Sequence, residues 1–203
     1  MAYTKIKLAD LQQQFGVILQ RARWLPDGIE HIAASELLVG QLLRAQNSPL
    51  TTEKARSEMQ IAPVLGEIQA LNLDRISIFS GENLPAEPKK GLNGEVDFMV
   101  SAVANAVRLQ QPIITVVEAK KADLDLAYDQ SAAQMVGASI FNEKKRMDKS
   151  PLNIFGIVTN GVEWQFLKLD REQILLDPVI YTLNNLNLLL GTIQYIVNQG
   201  FIK

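Results

Sequence analysis

Residues 112–120, PIITVVEAK, constrain the fold more than any other stretch of the chain. The successive β-branched side chains from Ile113 to Val117 lose rotamer freedom in a helix and suit a pleated strand. Pro112 has no N–H to give to a sheet ladder and marks where the strand begins. A run that is apolar at both sets of alternating positions belongs inside a sheet with layers on both faces. The chain is therefore expected to fold around a central sheet.

Apolar periodicity assigns the other elements. Leu8, Leu11, Phe15, Ile18 and Leu19 stand at helical spacing within 8–24, and Ile32, Leu38, Leu42 and Leu43 within 29–46, with Pro26, Asp27 and Gly28 separating the two. Thr51 or Thr52 caps a third helix from about Glu53 to Leu71, which Pro63 and Gly66 are expected to kink. Strands are expected at 75–80, 95–103, 112–120, 152–160 and 162–170, and helices at 126–142 and 183–200. Asn160-Gly161, between the last two strands, is a strong hairpin signal. This order predicts an α/β (α+β) fold with a mixed central sheet flanked by helices. No long linker divides the chain, so a single domain over 1–203 is expected. It would comprise an N-terminal helical extension (1–50), a core (53–170) and a C-terminal helical segment (171–203).

Composition narrows the chemistry. The net charge of −2 is no electrostatic match for nucleic acid over the whole surface, so any such contact would be a local basic patch. The absence of cysteine excludes disulfides and thiolate metal sites. His31 is the sole histidine, which disfavours a zinc site or a Ser-His-Asp triad. No apolar run reaches the ~18 residues that span a bilayer. The segment MAYTKIKLADLQQQF lacks the apolar centre of a signal peptide. A soluble cytoplasmic protein with no membrane association is expected.

Two carboxylates interrupt this apolar pattern. Asp97 lies in GEVDFMVS and Glu118 in PIITVVEAK, both in runs that read as buried strands. Burying a carboxylate costs several kcal/mol unless it is paired or binds a cation. Strand alternation sends Glu118 and Lys120 to one face and Ala119 to the other. With Asp97 on a neighbouring strand facing the same side, three charged groups would converge. Two carboxylates suffice to anchor a magnesium ion that keeps several waters. Such an ion polarises a phosphate and makes a bound water a better nucleophile, while a lysine beside it orients that water or stabilises developing charge. The grouping suits hydrolysis of a phosphodiester.

Asp97 in GEVDF, with the Glu-x-Lys of Glu118 and Lys120, resembles the PD-(D/E)xK nuclease superfamily, which has the restriction-endonuclease-like fold. The resemblance covers roughly residues 53–170. It implies that Asp97 and Glu118 hold Mg2+ or Mn2+ and that Lys120 assists attack. It also implies a further acid from a preceding helix, for which Glu58 in ARSEMQIAPVL is the candidate, and a glutamine on the helix after the Glu-x-Lys strand. Gln130 and Gln134, one turn apart, both offer that glutamine. Two departures stand out: Val96 replaces the proline before the aspartate, and Asp97 and Glu118 are 118 − 97 = 21 positions apart, a long gap. DNA would be the substrate, with Lys121, Lys144, Lys145 and Arg146 as candidate contacts. A homodimer or a partner subunit would supply recognition.

Plainer readings stand beside these. Asp97, Glu118 and Lys120 also suit an edge strand with a solvated face or a Glu118–Lys120 ion pair, Glu58 a solvated helix face, Gln130 and Gln134 a polar helix face, and KKRMDK (144–149) a solubilising loop. Two functions follow: a metal-dependent DNA endonuclease of a restriction or mobile-element system, or a catalytically silent nuclease-fold protein acting as a binding or assembly module.

Overall fold

The structure, a computed structural model, describes residues 3–120, 124–144 and 153–201. Over these residues the chain is a mixed α/β protein with an eight-stranded sheet. The helices are α1 (Leu8–Phe15), α2 (Glu36–Gln46), α3 (Glu53–Arg56), α4 (Ala62–Ala70), α5 (Tyr128–Glu143) and α6 (Leu186–Gln199). The strands are β1 (Ile18–Arg21), β2 (Ser77–Asn83), β3 (Glu95–Ser101), β4 (Ile113–Ala119), β5 (Ile154–Thr159), β6 (Glu163–Asp170), β7 (Gln173–Leu176) and β8 (Tyr181–Thr182). No helix of the described residues is long and apolar enough to cross a membrane.

The sheet order is β1-β7-β6-β5-β4-β3-β2, with β8 also on β6. β4 lies inside it, antiparallel to β3 and parallel to β5, and every one of its residues is buried. The parallel β4–β5 pair requires a crossover, which α5 provides. Successive side chains of β4 face opposite layers. Val116 packs with Met99, Val158 and the buried face of α5, whereas Val117 packs with Phe98, Ile157 and residues of α2, α4 and α6. The Asn160-Gly161 hairpin forms as expected: β5 and β6 are antiparallel, Gly161 takes φ 89°, and the Asn160 side-chain oxygen accepts from the Val162 and Glu163 N–H groups at 3.0 and 2.8 Å.

The two ends of the chain depart from expectation. Gly16, left-handed at φ 71°, turns the chain out of α1, so the helix expected over 8–24 ends at Phe15. Ile18 and Leu19 continue the apolar spacing but lie in β1, which pairs with β7. The 1–50 segment is therefore not purely helical, and 171–203 contributes β7 and β8 as well as α6. A four-residue strand is too short to show a period of its own. The helix expected over 29–46 begins only at Glu36, where the Ser35 hydroxyl accepts from Leu38 N–H at 3.2 Å. The residues before it lie across α6. Ile32 N–H donates to Asn187 O at 3.0 Å, and a Cβ on Gly191 would fall 1.9 Å from Glu30 O, so only glycine allows this approach.

The helix expected from Glu53 to Leu71 is present, and a π turn over Ser57–Ile61 interrupts it. Pro63 has no N–H to give to the carbonyl four residues back, and the chain widens directly ahead of it: Ala62 N–H reaches Ser57 O.

A single carboxylate joins the two ends. Asp177, at 0% exposure, accepts from Trp24 N–H (3.2 Å), Leu25 N–H (3.0 Å), Val179 N–H (3.0 Å) and Arg23 Nη1 (3.2 Å). Asp177→Ala strands buried donors and should lower unfolding free energy by about 3 kcal/mol. Urea denaturation measures this, and a loss below about 1 kcal/mol would show that the clamp contributes little.

Candidate active site

β3 and β4 part at the candidate site. Their last paired residues are Phe98 and Val117, so Asp97 and Glu118 occupy the next step, beyond the end of the ladder. There the Asp97 side chain replaces a backbone acceptor: Ala119 N–H donates to Asp97 Oδ2 at 2.7 Å. On its other side β4 stays paired with β5 through Glu118–Val158 and Ala119–Thr159, and Lys120 N–H donates to Thr159 O at 2.8 Å. The end of β4 is thus gripped from both sides.

Glu118 is 1% exposed, and both its oxygens are engaged. Gln134 Nε2 donates to Oε2 at 2.7 Å, and the Lys120 ammonium donates to Oε1. Lys120 Nζ also reaches Gln130 Oε1 at 3.4 Å. Both glutamines of α5 therefore face the end of β4, one through the carboxylate and one through the ammonium. The solvated-edge alternative for Glu118 is excluded by its burial in an inner strand, whereas the alternative of a Glu118–Lys120 ion pair is present.

The electrostatics follow from that burial. Burial pushes the Glu118 carboxyl up to about 7, Asp97 adds repulsion, and Lys120 and Gln134 only partly offset them. Asp97 is also raised, chiefly by burial, against the opposing Ala119 N–H and Lys120, with Glu53 and Glu95 adding to the rise. Burial works against the Lys120 ammonium, yet Glu118, with Glu53 and Asp97 behind it, holds its pKa above the ordinary lysine value.

Glu53, an exposed helix carboxylate not singled out by its sequence, adds negative charge that raises both Asp97 and Lys120. Glu58 lines the same cleft of about 410 Å³ as Asp97, Glu53 and Glu95, but its side chain is 65% exposed and lies 3.8 Å from Lys54. The π turn explains the exchange. Ile61, Val64, Leu65 and Ile68 mark the buried face of the helix, and regular winding would continue that face through Ser57 and Glu58. A π turn holds one extra residue, so the residues ahead of it are displaced by one position in phase. Arg56 then turns inward, donating from Nη1 to Asn160 O at 3.1 Å, while Glu53, one turn earlier, stays exposed and lines the cleft with Glu58. The available signal was Glu53 in the first turn after a threonine cap: Thr52 Oγ1 accepts from Ala55 N–H at 3.0 Å.

Among the described residues no three acidic or imidazole side chains converge at metal-ligand spacing. Asp97 and Glu118 nevertheless fit a hard cation. They are carboxylates on adjoining strand ends, the donor type such a cation takes, and burial raises the proton affinity of both. Of the expected DNA contacts, Lys121, Lys145 and Arg146 lie outside the described residues, and Lys144 stands at the far end of α5, where its ammonium donates to Ala86 O. No protein-family model matches the chain, and no curated protein matches it.

The raised Glu118 pKa has a defined sign. Folding favours the neutral carboxyl, so its contribution to stability is fully present below the ordinary value of 4.5 and lost as pH rises through about 7. Glu118→Gln keeps the neutral form at every pH. Without divalent ions, the variant should match the parent near pH 4.5 and exceed it at pH 8 by up to about 3 kcal/mol in urea titrations. A difference that does not vary with pH would show that Glu118 titrates normally.

Proposed function

We propose that this chain is a divalent-metal-dependent nuclease that hydrolyses DNA phosphodiester bonds, on the pattern of the PD-(D/E)xK superfamily. The observation that supports this reading is the contact set at the end of β4, where Asp97, Glu118 and Lys120 meet Gln130 and Gln134 of the next helix. Asp97 and Glu118 would hold Mg2+ or Mn2+. When bound, the ion supplies a Lewis acid that polarises the phosphate and lowers the pKa of water.

The chain's own groups do the rest. A carboxyl that keeps its proton up to about 7 must release it to accept a cation, so metal binding strengthens as pH rises through neutrality. The Lys120 ammonium carries further N–H donors besides the one given to Glu118, and these can orient the attacking water or stabilise charge developing on the phosphate. Gln134 fixes one Glu118 oxygen and Gln130 limits where the ammonium can go. Glu53 adds negative charge that favours a cation at Asp97.

One observation favours a silent binding module instead. Lys120 already neutralises Glu118, forming a closed network that is complete without a metal. Nuclease assays separate the readings. The parent with Mg2+ or Mn2+ should nick or degrade DNA, and Asp97→Ala or Glu118→Ala should lower the rate by at least about 100-fold with the fold intact. Lys120→Ala should slow turnover while sparing metal affinity. Glu53→Gln should impair metal-dependent cleavage more than Glu58→Gln, reversing the order that regular helical winding implies. Metal should raise the melting temperature of the parent but not of Glu118→Ala. If no DNA is cut and metal shifts both proteins equally, the silent module stands.

A further inference from the structure

The cleft at Asp97 is a poor place for a polyanion to land. Glu53, Glu58 and Glu95 line it with Asp97, and its lining cation Lys54 faces Glu58. DNA held there needs positive charge from another part of the surface.

Lys89, Lys90 and Lys144 meet that need. Pro88–Lys90 forms a short 3-10 turn in the loop between β2 and β3, closed by Lys90 N–H donating to Glu87 O at 3.0 Å. Leu84, Ala86 and Leu92 of this loop are buried in the same layer as the inner face of α5. Lys144, capping the C-terminal end of α5, donates to Ala86 O, and the Lys90 ammonium lies 4.9 Å from the Phe15 ring centroid. The loop and the helix end are thus tied into one edge. Among the described residues no carboxylate pairs with these lysines, although Glu87 and Glu143 are close in sequence. In a chain of net charge −2 this is a concentration of uncompensated positive charge.

We propose that Lys89, Lys90 and Lys144 form a phosphate-contacting edge that holds the backbone of duplex DNA without regard to sequence. The choice of duplex DNA rests on the nuclease reading. Lys144 stands 144 − 130 = 14 residues along α5 from Gln130, or about 21 Å at the helical rise. At the base spacing of a DNA strand that is about six steps from the reacting phosphate. Backbone contacts at this remove set register and orientation and leave the bases unread.

The test is fluorescence anisotropy of the full chain with a labelled duplex two helical turns long, in chelator, as a function of salt. The parent should bind with a steep salt dependence. Lys89→Gln/Lys90→Gln/Lys144→Gln should weaken binding at least about tenfold and reduce the log–log salt slope by about 2–3, equally for unrelated sequences. Arg44→Gln, on α2 in the opposite layer, should bind like the parent. Should the triple variant melt early, Lys89→Gln/Lys90→Gln decides alone, with a slope loss of about 2. Unchanged affinity and slope, no duplex binding by the parent, or lysine-dependent binding to phosphatidylserine vesicles instead of duplex would each overturn the proposal. Binding is read without cleavage, so the two readings fail separately. Lysine-dependent binding with no cleavage keeps this edge and removes the nuclease, whereas cleavage with binding indifferent to these lysines does the reverse.

Discussion

Glu118 sits in an inner strand with apolar neighbours before it and 1% of its surface exposed, and much of the surrounding arrangement answers the cost of putting it there. A buried carboxylate needs donors, and water is excluded. β4 runs out at the next residue, so Lys120 can fold back to supply an ammonium. The crossover helix must then lie with Gln134 over the same oxygen pair, which sets the rotation of α5 about its axis. That rotation also directs Ser131, Met135 and Ala138 inward and brings Gly156 close enough that a Cβ would meet Met135 Sδ at 2.6 Å. Packing and electrostatics therefore select one orientation of α5.

The same region holds negative charge that its own cation does not balance. Asp97 and Glu118 are both raised beside Lys120, with Glu53 and Glu95 adding to the rise at Asp97. Burial and like charge both raise the carboxylates, so the folded chain carries repulsion that a purely structural ion pair would avoid. Groups shifted together in this way cluster at functional sites more often than elsewhere.

The inner sheet was legible because its signals are local. The β-branched run of β4, the alternation of β3 and the Asn160-Gly161 turn each state their conformation within a few residues. Asp97, Glu118 and Lys120 could be picked out because charge in apolar strands is conspicuous, and the strand period placed Glu118 and Lys120 on one side. The sheet margin was not legible. β1 and β7 are four residues each, and β1 pairs only with β7, across more than 150 positions, while β7 also pairs with β6, so neither has a period to detect. Glu53 was missed for a different reason. Its phase depends on an irregular hydrogen-bond pattern downstream of it, and a period of 3.6 residues extrapolated from Ile61, Val64, Leu65 and Ile68 points to Glu58 alone.

That irregular turn also affects how the site can vary over generations. On a regular helix, an acid is gained or lost by replacing one side chain. Where Ser57–Ile61 widen the winding, dropping a single codon from the turn would rewind it to regular pitch and leave Arg56 and Glu53 in the phase they already hold relative to Ile61, with every neighbouring side chain unchanged. Chains of this kind that differ by one residue in length between Thr52 and Pro63 would then keep the same acid at the same place, and a position-by-position comparison that ignores the gap would align the wrong pair.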